Sequence, residues 1–154
     1  MTQQHDERPT IRDAEASDEA SWRRLWESYN TFYEHAASEP VTAATWRRIL
    51  DPQSSIFARV AVREDALIGF ATYVLHDCTW TLAPVCYLED LFVDPEARRG
   101  GIGRALIEDG VAIARDRGLA RVYWHTKADN AVARRLYDTF AEADGFVRYT
   151  LPMA

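Results

Sequence analysis

The stretch that decides the fold runs from Tyr87 to Ile107 and reads YLEDLFVDPEARRGGIGRALI. Its first half is an apolar and aromatic run with two adjacent carboxylates, Glu89 and Asp90, which predicts a strand. A turn rich in arginine and glycine follows, and the apolar spacing after it predicts a helix from Ile102 to Arg117. A strand, a glycine turn and a helix start together predict an anion site, because the first N–H groups of a helix carry partial positive charge.

Two well-known phosphate loops do not fit this turn. A P-loop needs a lysine followed by serine or threonine after its glycines, and this chain has Arg104-Ala105 there. A dinucleotide fingerprint needs a third small residue three positions after Gly103, where this chain has Leu106. The remaining pattern, Arg98-Arg99-Gly100-Gly101-Ile102-Gly103, leaves two readings open: a pyrophosphate loop of another kind, or a glycine-rich turn without a ligand.

The bulk properties indicate one folded domain. The chain has 154 residues, of which 47% are apolar, which is enough to bury a core. We expect residues 1–9 to be flexible and residues 10–154 to form a single domain. The polar N-terminus and the lack of long apolar runs predict a cytoplasmic protein with no membrane association. Cys78 and Cys86 lack the spacing of a metal site, so we expect reduced thiols and no metal.

The formal net charge of −6 disfavours nucleic acid as a partner, because a polyanion would be repelled. The same charge is compatible with a cationic or amine substrate, although a mild acidic excess commonly serves solubility alone.

The secondary-structure pattern alternates between helices and strands in a mixed order. We expect two early helices, one capped by Ser17 and ending near Glu34, and one capped by Thr42 after a break at Pro40. A fourth helix is expected from Asp129 or Asn130 to about Ala141. The expected strands are 10–13, 56–63, 66–75, 86–93, 121–126 and 146–151. This order predicts an α/β protein with a mixed sheet.

Two separate motifs resemble the GNAT acyltransferases. The turn from Arg98 to Gly103 resembles their pyrophosphate loop. Asn130 with Ala133, Leu136-Tyr137 and Gly145-Phe146 resembles their closing motif. The resemblance implies a central, mostly antiparallel sheet with two splayed parallel strands, flanked by four helices. Trp22-Arg-Arg-Leu-Trp26 and Val122-Tyr-Trp-His-Thr126 resemble the Hpa-type branch, which acetylates histones, other proteins and D-amino acids. The strand at 87–93 is also similar to diamine N-acetyltransferases.

The resemblance also implies acetyl-CoA as the cofactor. Its pyrophosphate would lie against the turn and the start of the helix, and the backbone of one strand would bind the pantetheine amides. The implied cofactor-binding residues are Leu91, Phe92, Val93, Arg98, Arg99, Gly100, Gly101, Ile102, Gly103, Arg104, Asn130 and Tyr137.

The implied chemistry is acetylation of a primary amine by direct attack in a ternary complex. An amine with a pKa of about 10 must first lose a proton, and we favour Glu89 as its base, directly or through a water. Asp90 stays open as an amine contact or a structural group. Tyr137 is the expected acid for the departing thiolate, and a core aromatic without a chemical role is the alternative.

Tyr29, Tyr33 and His125 are further candidates for the acceptor site. The tyrosines lie on the first predicted helix and could form an aromatic edge for a cationic amine, or be core residues. His125 could act as an accessory base or as an ordinary hydrogen-bonding residue. The acceptor class stays open between a small amine, an amino acid, a polyamine and a protein lysine. A non-catalytic acyl-CoA sensor is the alternative from another class, and a homodimer is the expected assembly.

Overall fold

The computed structural model describes residues 8–97 and 100–153, and the predictions made for residues 1–7, Arg98 and Arg99 lie outside these ranges. Its contacts divide the chain into two compact units, one up to Trp124 and one from His125 onward. The elements of the first unit are the strands β1 (Thr10–Asp13), β2 (Ile56–Arg63), β3 (Ala66–His76), β4 (Val85–Val93) and β5 (Val122–Tyr123), and the helices α1 (Glu19–Phe32), α2 (Glu39–Leu50) and α3 (Ile102–Asp116). The second unit contains α4 (Ala131–Tyr137).

The five strands form one sheet in the order β1-β2-β3-β4-β5. The first four are antiparallel neighbours, and β4 pairs with β5 in parallel. The recorded ladder between β4 and β5 consists of Cys86 with Val122 and Tyr87 with Tyr123, while β4 itself continues to Val93. The predicted mixed sheet with four α-helices is therefore confirmed, and the contact between the two parallel strands is short, as splayed strands require.

Strand alternation gives the sheet two apolar faces. On one face, Trp22 and Trp46 of α1 and α2 pack into a cluster with Val60, Phe70 and Phe92 of three adjacent strands. The two indoles stack with their ring centroids 4.9 Å apart. The alternate residues of these strands point to the other face of the sheet, which α3 covers. Because apolar burial is the main favourable term in folding, these two layers account for most of the stability of the unit.

Two polar contacts fix α3 on its face of the sheet. Arg59 of β2 makes a bidentate ion pair with Asp109, at 2.8 and 3.0 Å. The hydroxyl of Tyr73 donates to the carbonyl of Leu106 at 3.0 Å. A Cβ atom at Gly110 would overlap the Tyr73 ring, so only glycine allows α3 to lie this close to β3.

Several predicted boundaries are confirmed and others are wrong. The β2–β3 hairpin turns at Glu64 and Asp65, whose φ angles of 49° and 62° match the two-residue turn that suits a twisted hairpin. Pro40 does not break the chain: it lies in the first turn of α2, where its missing N–H costs nothing, and Ser38 caps the helix. Thr42 lies inside α2, buried, and accepts a hydrogen bond from Trp26.

The first helix also begins differently from the prediction. Ser17 lies in a short 3₁₀ turn, and Asp18 is the N-cap of α1. The carboxylate of Asp18 accepts two hydrogen bonds from Arg12, at 2.7 and 3.0 Å, and one from the Glu15 N–H. This ion pair ties the start of α1 to β1, a contact that no local pattern around Ser17 reveals.

The part of the chain that follows α3 contains less regular structure than predicted. The strand expected at 121–126 is limited to Val122–Tyr123, and α4 ends at Tyr137 rather than near Ala141. No strand is assigned at 146–151 within the described residues, where the large apolar side chains are exposed. An extended segment becomes a strand only when a neighbour pairs with its backbone, and no such ladder is recorded here. No described helix is long and apolar enough to cross a bilayer.

Candidate active site

The turn between β4 and α3 begins with an anchored aspartate. Asp94 accepts a hydrogen bond from the Glu96 N–H at 3.0 Å, and its own N–H donates to the carbonyl of Ile68 at 2.8 Å. Its carboxylate also makes an ion pair with Arg24 of α1 at 3.2 Å. These contacts fix the point at which the chain leaves the sheet for the predicted phosphate turn.

The start of α3 has the form of an anion site. Gly101 is the N-cap, with a φ of 70° in the left-handed region, and Gly100 has a φ of 109°. Such values favour glycine strongly. Gly101 supplies no side chain to cap the helix, and the first turn of α3 contains no acidic residue. A Cβ atom at Gly101 would meet no described atom within 4 Å, so the preference for glycine there comes from its φ angle and not from crowding.

Further residues predicted to bind the cofactor lie around this turn. Ile102 is buried, whereas Gly103 and Arg104 lie in the first turn of α3 with more exposure. The end of β4 lies against β3, where a Cβ atom at Gly69 would come within 2.9 Å of the Phe92 carbonyl. The Phe92 side chain belongs to the core, and Leu91 and Val93 are half-buried.

A β-bulge places the two carboxylates of β4 on the same side of the sheet. Thr72 pairs with Asp90, but the next residue of β3, Tyr73, pairs with Leu88, so Glu89 is an extra residue. Regular alternation would send Glu89 and Asp90 to opposite faces. With the bulge, both line the same cavity. Bulges of this kind are common beside active sites because they redirect a side chain.

The cavity lies between the bulge and the helices α1 and α2. Its volume is about 390 Å³, near the lower end of the ~300–1,000 Å³ typical of small-molecule sites. Tyr29 and Tyr33, both predicted from the sequence as acceptor residues, form part of its wall. Their rings are 4.9 Å apart in an edge-on arrangement, and Tyr29 also meets Phe92 at 6.0 Å. The structure thus brings four of the predicted acceptor residues together.

Asp90 is a carboxylic acid whose pKa is raised well above its ordinary value. Burial raises its pKa to about 6, with the charge of Glu89 acting in the same direction, while the hydroxyls of Tyr29 and Thr72 lower the pKa. Burial in turn raises the pKa values of Tyr29 and Tyr33, so both remain neutral phenols at physiological pH. A carboxylate with a pKa near 6 is ionised at neutral pH and still basic enough to accept a proton.

Sequence reasoning missed five polar residues that line this cavity, which are Asn30, His35, Thr45, Arg48 and Thr72. Thr72 is only 3% exposed, and its Oγ1 atom has no hydrogen-bond partner with suitable geometry among the described residues. Its alternation with Phe70 along β3 would have placed it on the same face. Arg48 lies in the last turn of α2, and no pattern within the helix distinguishes it from its neighbour Arg47.

The remaining predicted residues belong to the second unit. Asn130 caps α4: its Oδ1 accepts from the Ala133 N–H at 3.3 Å, and its Nδ2 donates to Thr126 at 3.2 Å. Tyr137 is the last residue of that helix and is half-buried. His125 is exposed and follows the end of β5 in the chain, so the prediction that it belongs to a strand is wrong. Their roles at the site stay predictions.

No group of three or more His, Cys, Asp or Glu side chains in residues 8–97 and 100–153 is arranged to hold a metal ion. The polar residues that line the described cavity are Glu89, Asp90, Arg48, Thr72, Asn30, His35, Thr45 and the phenols Tyr29 and Tyr33.

Comparison with known proteins gives one consistent result. A family model described as the acetyltransferase (GNAT) family matches residues 22–141. The chain is 33% identical over 145 residues to the D-amino-acid N-acetyltransferase HPA3 of Saccharomyces cerevisiae, covering 93% of this chain and 90% of that protein. It is 27% identical over 154 residues to an aminoglycoside N(6')-acetyltransferase type 1 of Stenotrophomonas maltophilia, covering 94% of each. A solved structure of a probable acetyltransferase superposes with a TM-score of 0.83 at 26% identity, covering 94% of this chain and 98% of that chain.

Proposed function

The chain belongs to the acetyltransferase (GNAT) family of enzymes, and from this premise we propose that it moves an acetyl group from acetyl-CoA to a primary amine held in the α1–α2–β4 cavity. The observation that supports this proposal most strongly is the bulge of β4 at Glu89. It directs two carboxylates into one cavity, and the same strand leads to the glycine turn. The amine attacks directly in a ternary complex. The catalytic groups, the acceptor and the cofactor contacts are all part of this proposal.

Acetyl-CoA supplies the activated acetyl group, and family members use it in general. The residues at the turn fit the anionic part of this cofactor. Gly100 and Gly101 present their backbone without side chains. The helix α3 is 15 residues long, and no side chain of its N-cap residue caps its N-terminus. In the proposal, Arg98, Arg99 and Arg104 add positive charge to this turn. The backbone of Leu91, Phe92 and Val93 binds the pantetheine arm in the manner of an added strand.

The acceptor amine must be neutral before it attacks. Glu89 is the base favoured by the sequence, and it is exposed at the mouth of the site. Asp90 has the properties of a second candidate, since burial holds its pKa near 6 and it faces the same cavity. We propose that the pair binds the ammonium group of the acceptor. One carboxylate then accepts a proton from it, and the neutral amine attacks the thioester.

The second unit supplies the remaining proposed groups. Tyr137 acts as the acid that protonates the departing thiolate, because a phenol and a thiol have similar pKa values. We also propose Asn130 as a cofactor residue and His125 as an acceptor residue, as the family resemblance implies. Asn130 already uses both ends of its amide within its own unit, so it would contribute mainly by fixing the start of α4.

The related enzymes favour a small acceptor. One acts on D-amino acids and another on an aminoglycoside, according to their names, and the cavity here has a volume suited to a small molecule. An amine acceptor agrees with the two carboxylates. We further propose a cytoplasmic enzyme that forms a homodimer through the exposed segment 146–151, whose apolar side chains are uncovered in the single chain.

A thiol-release assay tests the proposal directly. Acetyl-CoA is supplied with panels of polyamines, D- and L-amino acids, aminoglycosides and basic peptides, and free CoA is measured with a thiol reagent. We expect release that depends on at least one small amine, together with an N-acetylated product by mass spectrometry. Binding of CoA without release for every acceptor would contradict the proposal and favour a sensor of acyl-CoA.

A further inference from the structure

The polar groups of the cavity differ in charge from one side to the other. Glu89 and Asp90 contribute negative charge from β4, and Arg48 contributes positive charge from the last turn of α2. An enzyme selective for polyamines has no evident use for a guanidinium at this position, since it would repel a second ammonium group. The cavity can therefore bind a positively charged group at β4 and a negatively charged group at α2.

Arg48 is available to bind a ligand. Its side chain is exposed and forms no ion pair or hydrogen bond with any residue that the structure describes, although seven ion pairs among the described residues involve the arginines 12, 23, 24 and 59. Its neighbour Arg47 is also exposed but does not line the cavity. A guanidinium that faces a cavity without a partner is well suited to a carboxylate, which it can bind through two parallel hydrogen bonds.

A second observation points to a ligand in the same place. The buried hydroxyl of Thr72, on the central strand of the cavity floor, makes no hydrogen bond of good geometry among the described residues, although it lies close enough to Asp90 to lower the pKa of that carboxyl. Leaving such a group unsatisfied costs free energy, and a polar ligand would satisfy it. Ile56, Thr72 and Asp90 come from three adjacent strands, so the floor spans about 10 Å at the usual strand spacing. An arginine side chain is long enough to reach over part of that distance.

We infer that the acceptor is an amino acid, whose ammonium group binds to the Glu89–Asp90 pair and whose carboxylate binds to Arg48. This inference rests on the proposed function and narrows its acceptor class. The aromatic wall of Trp26, Tyr29 and Tyr33 contacts the amino-acid side chain. Arg48 acts in binding and specificity, and takes no part in the proton transfers.

The test compares amino acids with amines that lack only the carboxylate. The pairs are phenylalanine with 2-phenylethylamine, leucine with 3-methylbutylamine, and lysine with cadaverine, with both enantiomers of each amino acid. Steady-state KM and kcat are measured by thiol release, and binding is measured by calorimetry in the presence of CoA. The variants are Arg48→Gln and the matched control Arg47→Gln, which changes the same charge on the same helix outside the cavity.

We expect the wild-type protein to prefer at least one amino acid over its decarboxylated partner. Arg48→Gln should raise KM and Kd for that amino acid about tenfold or more, as expected for the loss of a charge-assisted hydrogen bond. Its kcat, and the KM for the amine partner, should stay within about twofold. Arg47→Gln should behave as the wild type. Because Arg48 has no described side-chain partner, its replacement should not impair folding.

Two results would overturn the inference while leaving the proposed function intact. One is acetyl transfer to amines with no preference for any carboxylate-bearing partner. The other is an equal loss for amino acid and amine in Arg48→Gln. Absence of transfer to every compound would instead contradict the proposed function, and calorimetric binding of the amino acids to wild type and Arg48→Gln would still decide the role of Arg48.

Discussion

Replacing Asp90 with asparagine should stabilise the folded protein at neutral pH. Burial raises the pKa of Asp90 from an ordinary value of 3.8 to about 6. The folded state therefore holds its proton more tightly than the unfolded state does. Between about pH 4 and pH 6 the folded state binds more protons, so this group lowers the stability as the pH rises through that interval. Above about pH 6 the full cost is present, and below about pH 4 it vanishes.

The magnitude follows from the two pKa values. One pKa unit corresponds to about 1.4 kcal/mol, so the ionised carboxylate lowers the free energy of unfolding by roughly 3 kcal/mol at pH 8. Asparagine has nearly the same shape and no charge. At pH 8 the variant should exceed the wild type by an amount of that order, and at pH 4 the two should be nearly equal.

Urea unfolding monitored by tryptophan fluorescence provides the assay, at several pH values from 4 to 8. The quantity compared is the difference between variant and wild type at each pH, which removes the titration of all other groups. Glu89→Gln serves as the control, because Glu89 is exposed and its replacement should change stability by no more than about 0.5 kcal/mol. A difference for Asp90→Asn that does not grow between pH 4 and pH 7 would refute the reasoning.

Three further predictions concern other parts of the chain. Gly101→Glu should abolish the thermal stabilisation by CoA, because it strains a left-handed residue and adds negative charge to the anion site. Gly101→Asn is the control, since asparagine tolerates that backbone conformation. If CoA still stabilised both variants, the pyrophosphate would bind elsewhere. Tyr137→Phe should preserve CoA binding and lower kcat at least about tenfold, and an unchanged kcat across the pH range would remove Tyr137 from the acid role. Gly110→Ala should lower the free energy of unfolding by about 2–4 kcal/mol, since the added methyl displaces Tyr73 and breaks its hydrogen bond to Leu106. The exposed Ala112→Ser on the same helix is its control in urea unfolding, and equal stability of the two would contradict the close packing of α3.

The sequence was most informative where local chemistry determines the structure. The hairpin of β2 and β3 was predictable because two apolar runs flank a two-residue turn, and α3 because its apolar stripe is long and regular. The pair of motifs at the glycine turn and at α4 indicated the family. In each case the residues that determine the element lie next to one another in the chain.

The errors come from contacts between distant residues. Asp18 lies at the N-cap position of α1 and is held there by its ion pair with Arg12, and Thr42 is buried inside α2, where it accepts a hydrogen bond from Trp26 of another helix. The segment 146–151 has the alternation of a strand, but a strand also needs a partner. Local pattern carries no information about such partners.

In the candidate site too, features set by neighbouring residues were predicted, and features set by distant residues were missed. Glu89 and Asp90 were predicted from their place in the strand, but strand alternation alone would have separated them. The pairing of Thr72 with Asp90 and of Tyr73 with Leu88 creates the bulge that unites them, and this register depends on the neighbouring strand. Arg48 was missed because its role depends on the cavity that α2 forms with the sheet.

The pH dependence of kcat/KM for the best amine acceptor tests the central claim most directly, measured for wild type, Asp90→Asn and Glu89→Gln. We predict that the wild type transfers acetyl groups and that its kcat/KM falls at low pH with a midpoint near pH 6, where burial places the pKa of Asp90. At least one of the two variants should lose that fall or shift its midpoint, and transfer acetyl groups at least about tenfold more slowly. If both variants retained the rate and pH profile of the wild type, the carboxylate pair would have no part in activating the amine, and the account would be wrong.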